Sequence, residues 1–488
     1  MKVLQVSLRS KAFRASRITL LSTLVALASQ FILFALFARL LEPYQLGLVA
    51  IVGIANAFLD VFIGLGLPAS LIHSRSLTSR ETSSVYWTVV ASNTFLAGLL
   101  VAISPIIADV YGDEALVQIL SLAALAIAIN GFGQVPKALL ERRLRFKRVG
   151  QAEICYSVTL LTIAIYLSVA GWEAYSYAWA LVAASTIRTV IWVFGARSTF
   201  IPRLYWRVHL LRRFLRFGAF QAADGIVTFV NNYISSLILG RFVGPTALGG
   251  YTLAYNSAVQ TPAKLNPIIT RVMFPVMSSI QTDRPRIALN YLRVSSLCVL
   301  ALGPGLIALA IAAENFMVVV YGESFRNFSA VLSVLCLSGV LRAYRNPMGA
   351  MLSATGFVRL ALYTNLIRSA LTVPIVVYLV INWGSIGAAW GVFVSNLLGF
   401  VAGMFCSYLA LNIRVVVYVL ELLKALLPFG WMALLVFGIG FALNDVIPTL
   451  GVLFCQSGCG AIAYMLTCYF SKHPTLMYVR RFVLGLSR

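Results

Sequence analysis

Arg39-Leu40-Leu41-Glu42-Pro43-Tyr44-Gln45-Leu46-Gly47 is written a second time in the chain, 202 residues later, as Arg241-Phe242-Val243-Gly244-Pro245-Thr246-Ala247-Leu248-Gly249. Both copies read arginine, two apolar residues, any residue, proline, two further residues, leucine and glycine. Each follows an apolar run of about 20 residues, Ile18 to Ala38 and Phe217 to Gly240, and each opens another. Proline suits the first turn of a helix and breaks its interior, so the stretch predicts helix, tight turn and helix, twice over. A second pair keeps nearly the same offset. Val110-Tyr111-Gly112-Asp113 returns as Val320-Tyr321-Gly322-Glu323, each ahead of an apolar helix with a proline near its far end, Pro136 and Pro347. The chain reads as two homologous halves, and transport is the commonest reason for a membrane protein to be built so.

With 488 residues, 60% of them hydrophobic, 11% charged and a mean hydropathy of +0.90, the chain is far from the ~25% charged composition of soluble domains. About 20 helical residues cross a ~30 Å hydrocarbon core. Runs of that length occur at 18–41, 44–71, 83–108, 115–136, 150–171, 174–195, 217–240, 247–280, 287–312, 325–352, 358–380, 384–410, 418–443 and 447–470. The expectation is an all-α polytopic membrane protein of about 14 transmembrane helices, arranged as two pseudo-symmetric six-helix bundles plus a C-terminal helix pair. The first lobe takes 1–196, a basic cytoplasmic linker 197–216, the second lobe 217–412, and the appended pair with a basic tail 413–488. The first run passes Val25-Ala26-Leu27-Ala28 and continues to Ala38, which is longer than the apolar region of about 7–15 residues in a cleaved signal. It is read as the first span.

The net charge of +23 does not signal nucleic acid, because the basic residues sit in alternate loops. They cluster before the first span, from Lys137 to Arg148, from Arg197 to Arg216, and in the tail at Lys472, Arg480, Arg481 and Arg488. The intervening loops carry Glu42, Asp109, Asp113, Glu114, Glu173, Glu314, Glu323 and Asp445, against only Arg39, Arg241 and Arg326. The positive-inside rule then places both termini in the cytoplasm, with the basic loops lying on anionic lipid. Seven cysteines without a CxxC and three scattered histidines offer no metal site, and no phosphate-binding loop appears. No cofactor is implied.

The polar residues inside the spans carry whatever function there is. In the seventh run Gln221, Asp224, Thr228, Asn231 and Ser235 fall within roughly 80° of one face at ~100° per residue. In the eighth, Asn256, Gln260, Lys264 and Arg271 do the same, although Pro262 and Pro267 must bend that helix. Gln30 lies in the first run, Asn56 and Asp60 in the second, Arg188 in the sixth, Arg342 and Arg345 in the tenth, and Arg368 in the eleventh. A charge in hydrocarbon costs about 2.5–3.5 kcal/mol, so these groups must face one another or water. Lys264, Arg271, Arg342, Arg345, Arg368 and Arg188 outnumber Asp60 and Asp224, which leaves cations that only a hydrated cavity tolerates. A net positive cavity selects an anion. Gln30, Asn56, Gln221, Asn231, Asn256 and Gln260 are its candidate polar lining, and Asp60 and Asp224 are candidate proton or sodium sites. Arg39, Arg241 and Glu42, at the outer ends of the repeated turns, form a candidate outer gate.

The chain resembles polysaccharide flippases of the Wzx type, in the superfamily that also holds multidrug extruders and lipid II flippases. The resemblance rests on Ala38-Arg39-Leu40-Leu41 with Pro43, Leu46, Gly47 and Ala50, on Leu65-Gly66-Leu67-Pro68-Ala69-Ser70-Leu71-Ile72, and on Pro136, Ala138-Leu139-Leu140-Glu141-Arg142, Leu144 and Phe146-Lys147-Arg148. It implies no enzyme activity but alternating access in a bacterial inner membrane. The implied cargo is an undecaprenyl-diphosphate-linked oligosaccharide for exopolysaccharide, capsule or O-antigen. Implied partners are that cargo and membrane lipids, with a polysaccharide polymerase and export machinery as further candidates. Lipid II flippases line their cavity with arginines near the first, second and eighth spans; Lys264 and Arg271 are the nearest counterparts, while the first span has no charge between Arg17 and Arg39. A cation-driven drug extruder would need an acidic interior. A polytopic glycosyltransferase or polymerase would need a long outer loop, and the outer gap from Ala313 to Ser324 is only about a dozen residues.

Overall fold

The computed structural model describes residues 2–62, 66–74, 77–198, 200–207, 212–264, 283–443 and 446–470, and all regular structure among them is helical. The helices are α1 (Lys2–Leu40), α2 (Pro43–Phe62), α3 (Leu67–His73), α4 (Ser79–Tyr111), α5 (Ala115–Arg142), α6 (Phe146–Val169), α7 (Tyr175–Ala196), α8 (Arg212–Phe242) and α9 (Pro245–Tyr255). They continue as α10 (Arg284–Ile311), α11 (Ser329–Arg345), α12 (Met348–Ala354), α13 (Val358–Leu411), α14 (Val415–Leu426), α15 (Phe429–Leu443) and α16 (Thr449–Phe470). Among the described residues ten helices are long and apolar enough to cross a membrane, or eleven if α14 and α15, bent by 42°, form one span. Two of the apolar runs read from sequence share α13, which departs from helical geometry at Gly384 (φ 56°, ψ −131°). The run at 247–280 falls partly outside the described residues.

The contacts divide the chain into two compact units, one of residues 1–233 with 244–249, the other of 234–243 with 250–488. The division falls within α8 because the first part of that helix packs on α2: the rings of Phe58 and Phe229 lie 5.1 Å apart.

The repeated stretch takes the same shape twice. α1 and α8 end three residues before the proline that starts α2 or α9. Leu41 N donates to Phe37 O at 2.8 Å and Leu46 N to Glu42 O at 3.1 Å; the equivalents are Val243 N to Leu239 O at 2.9 Å and Leu248 N to Gly244 O at 3.2 Å. The second repeat is alike in its glycines, since Gly112 ends α4 at φ +72° and Gly322 ends the π-helical turn Met317–Tyr321 at φ +107°. Within the first unit the two copies meet. A Cβ at Gly47 would overlap the Pro245 carbonyl and stand 2.8 Å from its Cα, and a Cβ at Gly249 would overlap the Pro43 carbonyl and stand 3.0 Å from Gly47 N. The contact is reciprocal and backbone to backbone, which only glycine permits.

The core of the first unit includes Leu67, Leu71, Val85, Tyr86, Val89, Val90, Val135 and Leu139, with Phe200 packed against it. Phe200 begins an extended strap, 200–207, laid along α4. Trp87 Nε1 donates to Arg203 O at 2.9 Å and Trp206 Nε1 to Thr88 Oγ1 at 3.0 Å, so part of the expected linker is tied down. α4 itself starts at a capping box, with Glu81 N donating to Thr78 Oγ1 at 3.2 Å and Thr78 N to Glu81 Oε2 at 2.9 Å.

Candidate functional site

The second unit brings three of the sequence-predicted cations together. Arg342 and Arg345 share the last turn of α11, where a basic residue is favoured by the helix dipole. Arg368 lies on the first part of α13. The charges of all three act on one another. None of them forms an ion pair among the described residues, and Arg368 Nε is buried without a hydrogen-bond partner there.

Glycines and tyrosines shape the seat of Arg345. A Cβ at Gly399 would stand 2.7 Å from Arg345 Nη1, and one at Gly403 would stand 3.8 Å from its Cγ and 2.9 Å from the Tyr418 hydroxyl. The two glycines are four residues apart on one face of α13, so they leave a groove for the arginine stem. Tyr344 donates to the Tyr418 carbonyl at 2.9 Å, the hydroxyls of Tyr291 and Tyr418 lie 3.4 Å apart, and Phe400 sits 5.3 Å from the Tyr418 ring. Gly403 thus lies between the Arg345 stem and the Tyr418 hydroxyl of this aromatic group.

Arg188 has a different fate from the one its charge count predicts. It pairs with Glu153 at 3.6 Å, donates to Asn130 Oδ1 at 2.7 Å, and lies 4.0 Å from the Tyr156 ring centroid. Lys137 joins the same carboxylate at 3.6 Å and stands 5.0 Å from the Trp192 ring centroid. Arg188 is therefore not a leftover cation: Glu153, absent from the sequence count of acids inside spans, compensates it. Asp60 on α2 feels the charges of both Arg188 and Lys137. Replacing Glu153 by glutamine leaves two cations without their carboxylate and is expected to cost about 1–3 kcal/mol, read as a lower Tm in detergent. Asp283→Asn breaks an exposed pair with Arg286 while keeping an N-cap acceptor, and should cost under about 0.5 kcal/mol. Equal Tm values for the two variants would contradict this account of Glu153.

The remaining candidates are dispersed. Arg271 lies outside the described residues, as do the side chains of Gln221 and Asp224, so the wet faces expected around them are not described. Lys264 is half-buried where the helix after α9 ends. Ahead of it, Asn256 to Gln260 form a π-helical turn. Pro262 has no N–H to give the Ala258 carbonyl, and the chain widens there. That carbonyl points at Gly339, where a Cβ would stand 3.0 Å from it. Asn231 Nδ2 donates to Val227 O at 2.9 Å, while Gln30 and Asn56 are half-buried. At the repeated turns, Glu42 of the candidate gate forms no ion pair among the described residues. The copies are joined at Gly47 and Gly249, a role that their place in the repeated motif does not reveal.

The fold resembles those of solved membrane transporters. A lipid II flippase MurJ in an inward closed conformation matches at a TM-score of 0.76 and 13% identity, over 96% of this chain and 100% of that one. An inward-facing multidrug resistance MATE family transporter matches at 0.61 and 16%, over 80% and 94%. These likenesses show the MurJ and MATE fold, in a chain with ten helices among the described residues that are long and apolar enough to cross a membrane. The family profile described as polysaccharide biosynthesis protein matches residues 36–330, and the chain belongs to that family. It is 29% identical over 483 residues to the lipopolysaccharide biosynthesis protein WzxC of Escherichia coli (strain K12), covering 98% of this chain and 97% of the relative. It is 27% identical over 440 residues to the teichuronic acid biosynthesis protein TuaB of Bacillus subtilis (strain 168), covering 89% and 90%.

Proposed function

We propose that this chain is a Wzx-type flippase. It moves an undecaprenyl-diphosphate-linked oligosaccharide from the inner to the outer leaflet of a bacterial cytoplasmic membrane by alternating access, and it is not an enzyme. The observation that carries the reading is the group Arg342, Arg345 and Arg368, three cations on two helices of one unit that form no ion pair among the described residues, in a chain of the polysaccharide biosynthesis family. Such a group is stable where water or an anion stands opposite, and a diphosphate is the anion that this cargo supplies. Each partly desolvated arginine can hold phosphate oxygens with charge-assisted hydrogen bonds of about 1.5–3 kcal/mol. Lys264 is proposed as a further cation of the second unit, with Asn256 and Gln260 as polar partners there; Arg271, Gln30, Asn56, Gln221 and Asn231 are proposed as additional cargo-binding residues. Arg188 belongs instead to the ion-paired network of the first unit. Asp60 and Asp224 are the groups through which a proton or sodium gradient would act. The finer architecture proposed is fourteen spans in two six-helix lobes plus a C-terminal pair, with Arg39 and Arg241 at the outer ends of the first and seventh spans.

Deleting the gene should stop surface polymer and leave the lipid-linked repeat unit on the cytoplasmic face; polymer export at the parental level would refute the reading. Orientation is tested separately. Reporter fusions after Arg148, Arg213 and Arg481 should read cytoplasmic, and fusions near Asp113, Glu323 and Asp445 should read outside. An external signal at Arg148 would invert the topology.

A further inference from the structure

An open cleft of about 820 Å³ lies on the first unit, between the first turns of α5 and the α6–α7 turn. That volume is within the range of about 300–1,000 Å³ usual for small-molecule sites. Gln118 and Ser121 on one wall face Trp172, Glu173, Tyr175 and Trp179 on the other. Trp172 is 49% exposed and Trp179 41%.

The turn that presents these groups is held in an uncommon shape. Gly171 has φ +84° and Glu173 φ +45°, a left-handed conformation that costs a non-glycine residue about 1–3 kcal/mol and persists only where neighbours impose it. Here Trp172 N donates to Leu167 O at 3.0 Å, and Ser176 Oγ donates to the Glu173 carbonyl at 2.5 Å. Gln45 Nε2 donates to Glu173 Oε2 at 2.8 Å, which fixes the carboxylate and leaves its other oxygen open. The Gln118 amide and the indole N–H groups of Trp172 and Trp179 have no hydrogen-bond partner among the described residues. The cleft is thus rigid, aromatic and supplied with unspent donors beside an acceptor.

Its lining holds no lysine or arginine, so it is unsuited to phosphate. A pyranose fits it better. The C–H face of a sugar ring packs on the electron-rich face of an indole, while its hydroxyls exchange hydrogen bonds with an amide and a carboxylate. The carboxylate of Glu173 disfavours a uronic acid in the same place.

We propose that this cleft is a second saccharide site, on the side the charge pattern places outside, which takes a neutral pyranose of the oligosaccharide as it emerges. The proposal rests on the flippase reading for its ligand, and it gives the head group a foothold built from residues other than the arginines that hold the diphosphate.

The test uses the full chain in nanodiscs and, as probe, the repeat-unit oligosaccharide released by mild acid from the lipid-linked intermediate of a deletion strain. Titration calorimetry should show saturable binding, weakened about tenfold by Trp172→Ala and by Trp179→Ala and unchanged by Gly98→Ala, where an added Cβ meets nothing within 4 Å. Glycerophosphoethanolamine should not compete. Absence of saturable binding, binding indifferent to both tryptophan substitutions, or displacement by glycerophosphoethanolamine would overturn the site; the last would mark an aromatic belt at the lipid headgroups. The probe carries no diphosphate and crosses no membrane, so any of these failures leaves the flippase reading standing. Loss of lipid transfer in liposomes with sugar binding intact would strike the flippase reading alone.

Discussion

Arg345→Glu is expected to abolish polymer export while the protein reaches the membrane in normal amounts. The substitution removes charge-assisted contacts worth about 1.5–3 kcal/mol, roughly 10–150-fold in affinity, and places a repelling carboxylate where the diphosphate would lie. Arg345→Lys should be milder, because a lysine holds one oxygen where an arginine holds two, yet still measurable. Arg342→Glu should match Arg345→Glu, and alanine at both positions should also stop export. Gly399→Ala gives an independent check, since a methyl 2.7 Å from Arg345 Nη1 displaces the guanidinium and leaves its charge intact. An intermediate loss is expected there. Normal export by both Arg342→Glu and Lys264→Glu proteins, made in normal amounts, would show the charges to be structural.

Gly47→Val should have the largest conformational effect. The atoms that an added side chain meets are the Pro245 backbone, which cannot rotate aside as a flexible side chain would. Overpacking of this kind costs about 1–3 kcal/mol or more, and a two-state equilibrium tilted by that amount shifts about 5–150-fold. Gly249→Val should act in the same direction through the Pro43 carbonyl. Gly53→Ala and Gly98→Ala, where nothing lies within 4 Å, should be inert. A cysteine at Tyr44, on the first turn of α2, should react faster with an impermeant maleimide in the Gly47→Val and Gly249→Val backgrounds. Unchanged labelling in both would mean that the contact does not hold the repeated turns together. The same assay on Arg39→Ala and Arg241→Ala separates a polar gate from the glycine contact.

The helical class was legible because apolar runs of membrane length recur along the chain, and the internal repeat because its proline and glycine positions reflect local backbone demands. Even the break in α13 shows, at Asn382-Trp383-Gly384, where a polar residue and a glycine interrupt the apolar run. The partner of Arg188 was not legible. Glu153 lies at the start of the apolar run 150–171, five residues after Arg148, and is absent from the count of acids inside spans; only packing of α5, α6 and α7 brings it to Arg188 and Lys137. The Gly47 and Gly249 contact was likewise hidden, since a glycine motif shows that a close approach is possible and not what approaches. The grouping of Arg342, Arg345 and Arg368 follows from two adjacent helices in one unit, and sequence could state it only conditionally.

The most direct measurement is transfer of a fluorescent undecaprenyl-diphosphate-linked oligosaccharide between leaflets of liposomes holding the purified protein, followed by an impermeant quencher. Protein-dependent transfer, abolished by Arg345→Glu and reduced by Arg345→Lys, is the predicted result. No transfer by the unaltered protein under imposed pH, sodium or voltage gradients or without them, or equal transfer by the unaltered and Arg345→Glu proteins, would contradict it.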